Sequence, residues 1–287
     1  MKVATGGLDH NIYIWDENGS IIQTLVNHTK LIQTLYAMPN GNLISGAWDS
    51  SIKIWNPFDG SLIMTLLGHT SYVYGLEMID SNTLASASYD STVHLWDINS
   101  GENLRNYTFQ GQLTCLKLLP NGYLATGNTR SFQTLYIWDL TNGTQVYKLM
   151  GHSGSVTSLE VIGTDILASG SLDNSTILWN LTNGTLIKRL ELHTGGIQCL
   201  KLIDNETLAS GSMDTTIILW NITSGLAIKT LIGHSQVVSG LDLTTEGYLL
   251  SGSQDYTIRI WNISSGALLK IINNVTKVYT IKQIFDS

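Results

Sequence analysis

Leu167–Asn180 reads LASGSLDNSTILWN, and 41 residues further on Leu208–Asn221 reads LASGSMDTTIILWN. Each stretch holds two short runs separated by an Asp-centred turn, and the second run ends in Trp followed by Asn. Alternating runs carried by Ser, Thr and branched aliphatic residues mark β-strands, because successive side chains of an extended chain point to opposite sides. A helical repeat of similar period would need amphipathic segments of about ten residues or more, and the turns here lie too close together for them.

The same unit recurs on both sides. Seven of the eight tryptophans, Trp15, Trp55, Trp96, Trp138, Trp179, Trp220 and Trp261, follow one another at intervals of 40, 41, 42, 41, 41 and 41 residues, each before an Asp or Asn. Trp48 alone falls outside the series. A unit of this length, punctuated by Asn-Gly, Ser-Gly and Asp-Gly pairs, has room for four short strands. Four-stranded antiparallel units at this period are blades set radially round a central channel. The sequence therefore predicts an all-β, seven-bladed propeller occupying residues 1–287 as a single domain.

Gly68-His69, Gly151-His152 and Gly233-His234 are each followed, 27 residues after the His, by Trp-Asp or Trp-Asn. On these residues the chain resembles the WD-repeat family over essentially its whole length. The resemblance implies strands a to d, counted outward from the axis. In that frame the chain opens in strand b, at Lys2-Val3-Ala4-Thr5-Gly6, and ends with a strand-a pattern at residues 278–285 that has no b, c or d to follow. The first blade is thus expected from residues 2–26 together with 277–285, the C-terminal strand closing the ring so that no backbone edge is left unpaired.

Five histidines stand 21 residues before an Asp, with a Ser four residues before that Asp. The sets are His28, Ser45, Asp49 and Trp55; His69, Ser86, Asp90 and Trp96; His152, Ser169, Asp173 and Trp179; His193, Ser210, Asp214 and Trp220; and His234, Ser251, Asp255 and Trp261. Ser, His and Asp are also the residue types of a hydrolase triad. A catalytic group is needed once, however, with a cleft and an oxyanion hole, whereas this set recurs at fixed distances from its Trp. The resemblance implies a buried hydrogen-bonded tetrad joining strands b and c to the d–a connection and the b–c turn, and a fully paired network of that kind stiffens its blade.

Two blades depart from the pattern. In blade four Phe109-Gln110 stand in the place of Gly-His, and the b–c turn, Asn128-Thr129-Arg130-Ser131-Phe132-Gln133-Thr134, is two residues longer and has no Asp. Drift in a ring that keeps five tetrads accounts for this, and so does a loop whose Arg130 and Phe132 reach toward a partner. Blade one has Thr5, Asp9 and Trp15, but Asn274 where the His belongs.

Hydrophobic residues make up 43% of the chain and charged residues 13%, a composition that builds a core rather than a disordered coil. With 15 basic against 22 acidic residues, a net charge of -7 and no Lys/Arg run, the charge needed for binding a phosphate backbone is missing, so no nucleic-acid partner is expected. The first residues lack the apolar run of a secretory signal, and no run approaches membrane-spanning length, which points to an intracellular, cytoplasmic protein with no membrane partner. Eleven Asn-x-Ser/Thr sequons, among them Asn142, Asn180, Asn221 and Asn262, keep open an extracellular glycosylated propeller that binds a ligand or carbohydrate, although most lie where turns favour Asn anyway. Cys115 and Cys199 sit at equivalent places in apolar strands and read as buried free thiols. No Gly-rich phosphate loop or metal-spaced Cys/His cluster occurs, His10 and His94 stand alone, and the carboxylates are mostly in turns, so no catalytic, cofactor or metal residue is expected.

Function must then reside where the blades differ at exposed equivalent positions. The resemblance implies partner contacts at the start of strand a and just before the turn Asp. The pre-Asp series is Leu8, Trp48, Tyr89, the altered loop with Arg130, Leu172, Met213 and Gln254. The strand-a positions add Tyr72 and Tyr74. Trp48, Tyr72, Tyr74 and Tyr89, flanked by Arg130 and Phe132 and joined by Met213, form the expected contact set, since aromatic residues dominate interface hot spots. The overall expectation is a non-catalytic scaffold for protein or peptide partners, acting as a monomeric propeller within a larger assembly; an enzyme is the remaining alternative.

Overall fold

The computed structural model describes residues 1–129 and 134–284, and every regular element among them is a β-strand. The strands form seven four-stranded antiparallel sheets, each in the spatial order a-b-c-d. The inner strands are Val278–Ile284, Ile32–Ala37, Val73–Met78, Leu113–Leu118, Val156–Ile162, Ile197–Leu202 and Val238–Leu243, for blades one to seven. The seven-bladed ring and its closure expected from the sequence are both present. Val278–Ile284 pairs antiparallel with Lys2–Gly7, Ile281 opposite Thr5 and Ile284 opposite Lys2. Phe285, expected at the end of this strand, lies outside the described residues.

The recurring Leu-Ala-Ser-Gly-Ser of strand b has a packing reason at each place. Strand b is covered on both faces, so its Leu and Ala are fully buried, as at Leu167 and Ala168. Its Gly is set by close neighbours on both sides: a Cβ on Gly170 would lie 2.5 Å from Ile197 of the next blade, and one on Gly211 would lie 2.8 Å from Val238 of the next blade and 2.7 Å from Cys199 of its own. The core is accordingly shared between blades. Ile44, Ile52 and Leu66 of blade two form one cluster with Val73, Leu84 and Trp96 of blade three. Six of the seven serial tryptophans are 1–2% exposed; each such ring removes roughly 150–250 Å2 from water, worth up to about 4–6 kcal/mol.

Cross-blade polar ties reinforce the ring on its outer side. Lys188 Nζ donates to the Thr223 carbonyl and Lys229 Nζ to that of Ser264, both at 2.7 Å. Lys270 repeats the contact across the seam, donating to the Glu17 carbonyl of blade one. The Asn residues of the c–d turns are occupied in turn formation: Asn142 and Asn180 Oδ1 each accept a backbone N–H two residues on, at 2.8 Å.

Candidate functional site

In blades two, three, five, six and seven the four side chains are joined in one chain of hydrogen bonds. The Asp carboxylate accepts from His Nδ1 at 2.7–2.9 Å, and His Nε2 lies 2.7–2.8 Å from Ser Oγ. Ser Oγ in turn accepts from Trp Nε1 at 2.8 Å. With the His proton placed on Nδ1 by the carboxylate, Nε2 accepts from the serine hydroxyl, and no lone pair is wasted. Burial alone pushes the pKa of Asp49, Asp90 and Asp173 up, but hydrogen bonds from the His, from a Ser or Thr two residues on and from the backbone N–H after the His hold them well below the usual carboxylate range.

The order Ser, His Nε2, His Nδ1, Asp is also that of a nucleophilic triad. Here it cannot attack anything. Ser45, Ser86, Ser169, Ser210 and Ser251 are 0% exposed, and each hydroxyl oxygen is covered by an indole N–H. The thiols are equally inert: burial pushes Cys115 up to about 12 and raises Cys199 as well. Among the described residues no three His, Cys, Asp or Glu side chains come together as a metal site.

The Asp also shapes the b–c turn, with or without a tetrad: in blade one His10, after Asp9, is left-handed too. The residue after the Asp is left-handed in each of the tetrad blades, from Ser50 at φ 68° to Tyr256 at φ 67°, a conformation that costs a non-glycine residue about 1–2 kcal/mol. The Asp holds it: Asp49 Oδ1 accepts the Ser51 N–H at 3.0 Å and its hydroxyl at 2.6 Å, while Oδ2 takes the Thr29 N–H at 2.9 Å.

Strand register corrects the sequence alignment of blade four. Phe109 stands four residues before Leu113, the first inner-strand residue, as His69 stands four before Val73. Phe109, not Gln110, therefore occupies the His position, because the d–a connection is one residue shorter. It is buried, with its ring centroid 4.2 Å from that of Trp138, whose Nε1 still donates to Thr126 Oγ1 at 3.0 Å. The Thr129 N–H bonds to the Gln112 carbonyl, as the Tyr89 N–H bonds to that of Tyr72. Thr129, buried, thus holds the place that the sequence reading gave to Arg130. Arg130 and Phe132 lie outside the described residues.

Trp48, Tyr72, Tyr74 and Tyr89 meet across blades two and three. Trp48 stacks on Tyr72 with centroids 4.6 Å apart and planes 11° from parallel, and Tyr72 stacks on Tyr89 at 6.0 Å. Tyr74 touches both Trp48 and Tyr89, at 6.4 and 5.6 Å. All four rings are half-buried, and burial pushes Tyr74 up to about 12, with Tyr89 and Tyr72 adding to it. Trp48 Nε1 donates to Gln33 Oε1 at 3.1 Å; Gln33 is a strand-a position five residues after its His, as Tyr74 is, and stands outside the expected contact set. Met213 is not part of this group. It lies on blade six, 49% exposed, beside Leu172 of blade five, which is 42% exposed. Gly196 lies between them: a Cβ there would meet Leu172 at 2.8 Å and crowd Met213 Sδ at 3.2 Å. Tyr74, Tyr89 and Leu172 line one cavity of about 470 Å3 at the axis, so the aromatic and aliphatic patches share a channel mouth from different sides.

Other side chains that the sequence reading passed over become visible only in the folded ring. His94 is not alone: it is buried against His69, ring centroids 4.0 Å apart, with its Nδ1 accepting from Asn103 Nδ2 at 3.0 Å. Nor are the acids all in turns. Tyr36, Glu77, Lys117, Glu160, Lys201, Asp242 and Lys282 occupy one register position of the inner strand in blades two to seven and one, each opposite the strand-b residue just before the tetrad Ser or its equivalent. Signs alternate from Glu77 round to Lys282. Lys117 lies 3.3 Å from Glu77 and Lys201 lies 2.7 Å from Asp242. Burial raises Glu77 against the pull of Lys117; burial would also raise Asp242, but Lys282 and Lys201 bring it below its ordinary value. Reading one inner-strand column down all seven repeats would have shown this ring.

The sequence model described as "WD domain, G-beta repeat" matches residues 19–56, 60–97, 143–180, 184–221 and 225–262, well over half of the chain. Each match runs from strand d of one blade to the Trp of the next, and the long stretch passed over, residues 98–142, contains strands a to c of blade four. The chain is similar to human pre-mRNA-processing factor 19, 40% identical over 164 residues that make up 55% of this chain and 32% of that protein. It is also similar to nuclear distribution protein nudF 2 of Talaromyces marneffei, 42% identical over 55 residues, 19% of this chain and 12% of that one. The matched region thus spans about a third or less of these curated relatives. Among solved structures, the computationally designed Ika8 protein superposes with a TM-score of 0.78 at 26% identity, covering 100% of this chain and 88% of that one. The chain belongs to the WD domain, G-beta repeat family.

Proposed function

We propose that this propeller is a non-catalytic scaffold that holds a segment of a protein partner across the mouth of its channel. The observation that carries the reading is the open stack of Trp48, Tyr72, Tyr89 and Tyr74. Rings of this size bury large area with few rotatable bonds and keep polar edges, which is what interface anchors require. The exposed pair Leu172 and Met213 gives a second, aliphatic purchase on the same mouth. The tetrads supply the rigidity that a preorganised surface needs. A net charge of -7 disfavours nucleic acid as the ligand. The names of the relatives, in pre-mRNA processing and nuclear distribution, support an intracellular setting, with the propeller working as one member of a larger assembly.

The test is affinity capture from native lysate with wild type and with Trp48→Ala/Tyr89→Ala, proteins identified by mass spectrometry. The reading expects the variant to lose specific partners by tenfold or more while keeping a cooperative melting transition. Equal recovery by a folded variant would place the contact surface elsewhere.

A further inference from the structure

The closing strand Val278–Ile284 is held by more than backbone pairing. Asp242, on the inner strand of blade seven and 5% exposed, receives it: Oδ2 accepts the Gln283 backbone N–H at 2.9 Å and lies 3.6 Å from Lys282 Nζ, while Oδ1 binds Lys201 Nζ of blade six at 2.7 Å. One carboxylate therefore joins blade six, blade seven and the strand that completes blade one. Backbone ladders are largely blind to sequence, and apolar patterning alone sets the register of a strand with one buried face. Val278 and Ile281 supply that patterning, but so do Val73 and Leu76 or Val238 and Leu241 in other inner strands. What separates Val278–Ile284 from those strands is the residue that enters the charged ring, a lysine where they carry Glu77 and Asp242.

We propose that the slot between Lys2–Gly7 and Val238–Leu243 is a charge-selective strand-binding site, in which Asp242 reads a lysine at the ring position of the strand that closes the propeller. An acid-bearing strand in the slot would set its carboxylate against Asp242, which has no spare counter-charge because Lys201 is already engaged on its other oxygen. A neutral strand would leave Oδ2 with the backbone N–H alone. Lys282 satisfies the site and stays partly solvated, its side chain 30% exposed, so its own desolvation remains modest.

Two measurements on the full chain test this. Amide hydrogen exchange by mass spectrometry on Asp242→Asn, Lys282→Met and the double variant should show the amides of residues 278–284 exchanging about tenfold faster in each single variant, as expected when one charge of the Lys282–Asp242 ion pair is removed. The inner strands of blades three and four should stay at the wild-type rate, and the double variant should go no further than the singles. Separately, a labelled peptide of residues 277–287 offered to the wild-type protein should be taken up at least tenfold more than the same peptide carrying Lys282→Glu. Uniform acceleration of every inner strand, no acceleration at all, or uptake indifferent to lysine against glutamate would each overturn the proposal.

Discussion

Blades four and five are neighbours with the same strand order and a Trp at the same place in strand c, yet they solve the interior differently. Blade five links Trp179, Ser169, His152 and Asp173 in an unbroken polar chain. Blade four gives Trp138 an acceptor in Thr126 and fills the rest with the Phe109 ring. The indole N–H must be paired because a buried unmet donor is costly; everything beyond that pairing is a choice between a polar network and an apolar plug. The choice follows from one residue in the d–a connection. In the five tetrad blades the His stands three residues after the last core position of the preceding strand d, as His152 does after Leu149. Phe109 stands two after Tyr107, and Asn274 two after Ile272, the only shortened connections among the described residues. Without His no Asp is needed, and the b–c turn of blade four is free to lengthen. Blade one keeps Asp9 by another route, the Tyr13 hydroxyl donating to it at 2.6 Å.

The comparison breaks most severely at blade one, whose inner strand comes from the far end of the chain and which has no His to brace it. Removal of residues 277–287 is expected to leave the edge of Lys2–Gly7 unpaired and to give insoluble protein or a melting temperature lowered by far more than any point substitution; unchanged melting would show that the ring does not depend on its last strand. Between blades four and five, Phe109→Ala should cost about 3 kcal/mol in urea unfolding, because the plug leaves a cavity beside Trp138. His152→Ala should cost about 2 kcal/mol by stranding Asp173 and Ser169. A larger cost for His152 than for Phe109 would reverse the ranking of network and plug.

Most of this architecture could be read in advance. The Trp intervals count the blades, and the five Ser-His-Asp sets name every member of the hydrogen-bonded chains, since each set repeats at one spacing. What could not be read is whatever depends on alignment across a gap or on neighbours from different blades. Sequence alignment alone sets Phe109 one residue out of place, because the shortening lies in a connection with no pattern of its own. His94 touches His69 only after strand c folds back beside the d–a connection. The charged ring is spread over residues 36–282 as single letters in apolar strands, and each looks unremarkable until all seven are superposed. On the face, the four aromatic rings meet and Met213 lies apart beside Leu172, while Gln33, at the strand-a position equivalent to Tyr74, carries no sequence sign of its bond to Trp48.

A pH-dependent effect marks blade three, where a second histidine packs on the tetrad His. Burial, followed by the proximity of His69, lowers the His94 pKa from 6.5 to about 4. The unfolded chain therefore takes up this proton first as the pH falls. Stability contributed by the neutral ring is full above pH 6.5, declines between 6.5 and about 4, and levels off below. His94→Gln should flatten that part of the stability-against-pH curve, measured by urea unfolding at a series of pH values, while leaving the slope below pH 4, where the tetrad aspartates titrate, in place. A curve identical to wild type would mean that His94 is not the acid-sensitive group.

Seven is an odd number, and two signs cannot alternate all the way round an odd circle. Somewhere two like charges must touch or one site must abstain, and Tyr36, between Lys282 and Glu77, is the abstention. The charged pattern consequently has a beginning, in blade three, and an end, in blade one, on either side of the neutral second blade. Inside that run charged blades could be gained or lost without setting like charges side by side only two at a time, whereas next to Tyr36 a single blade could come or go.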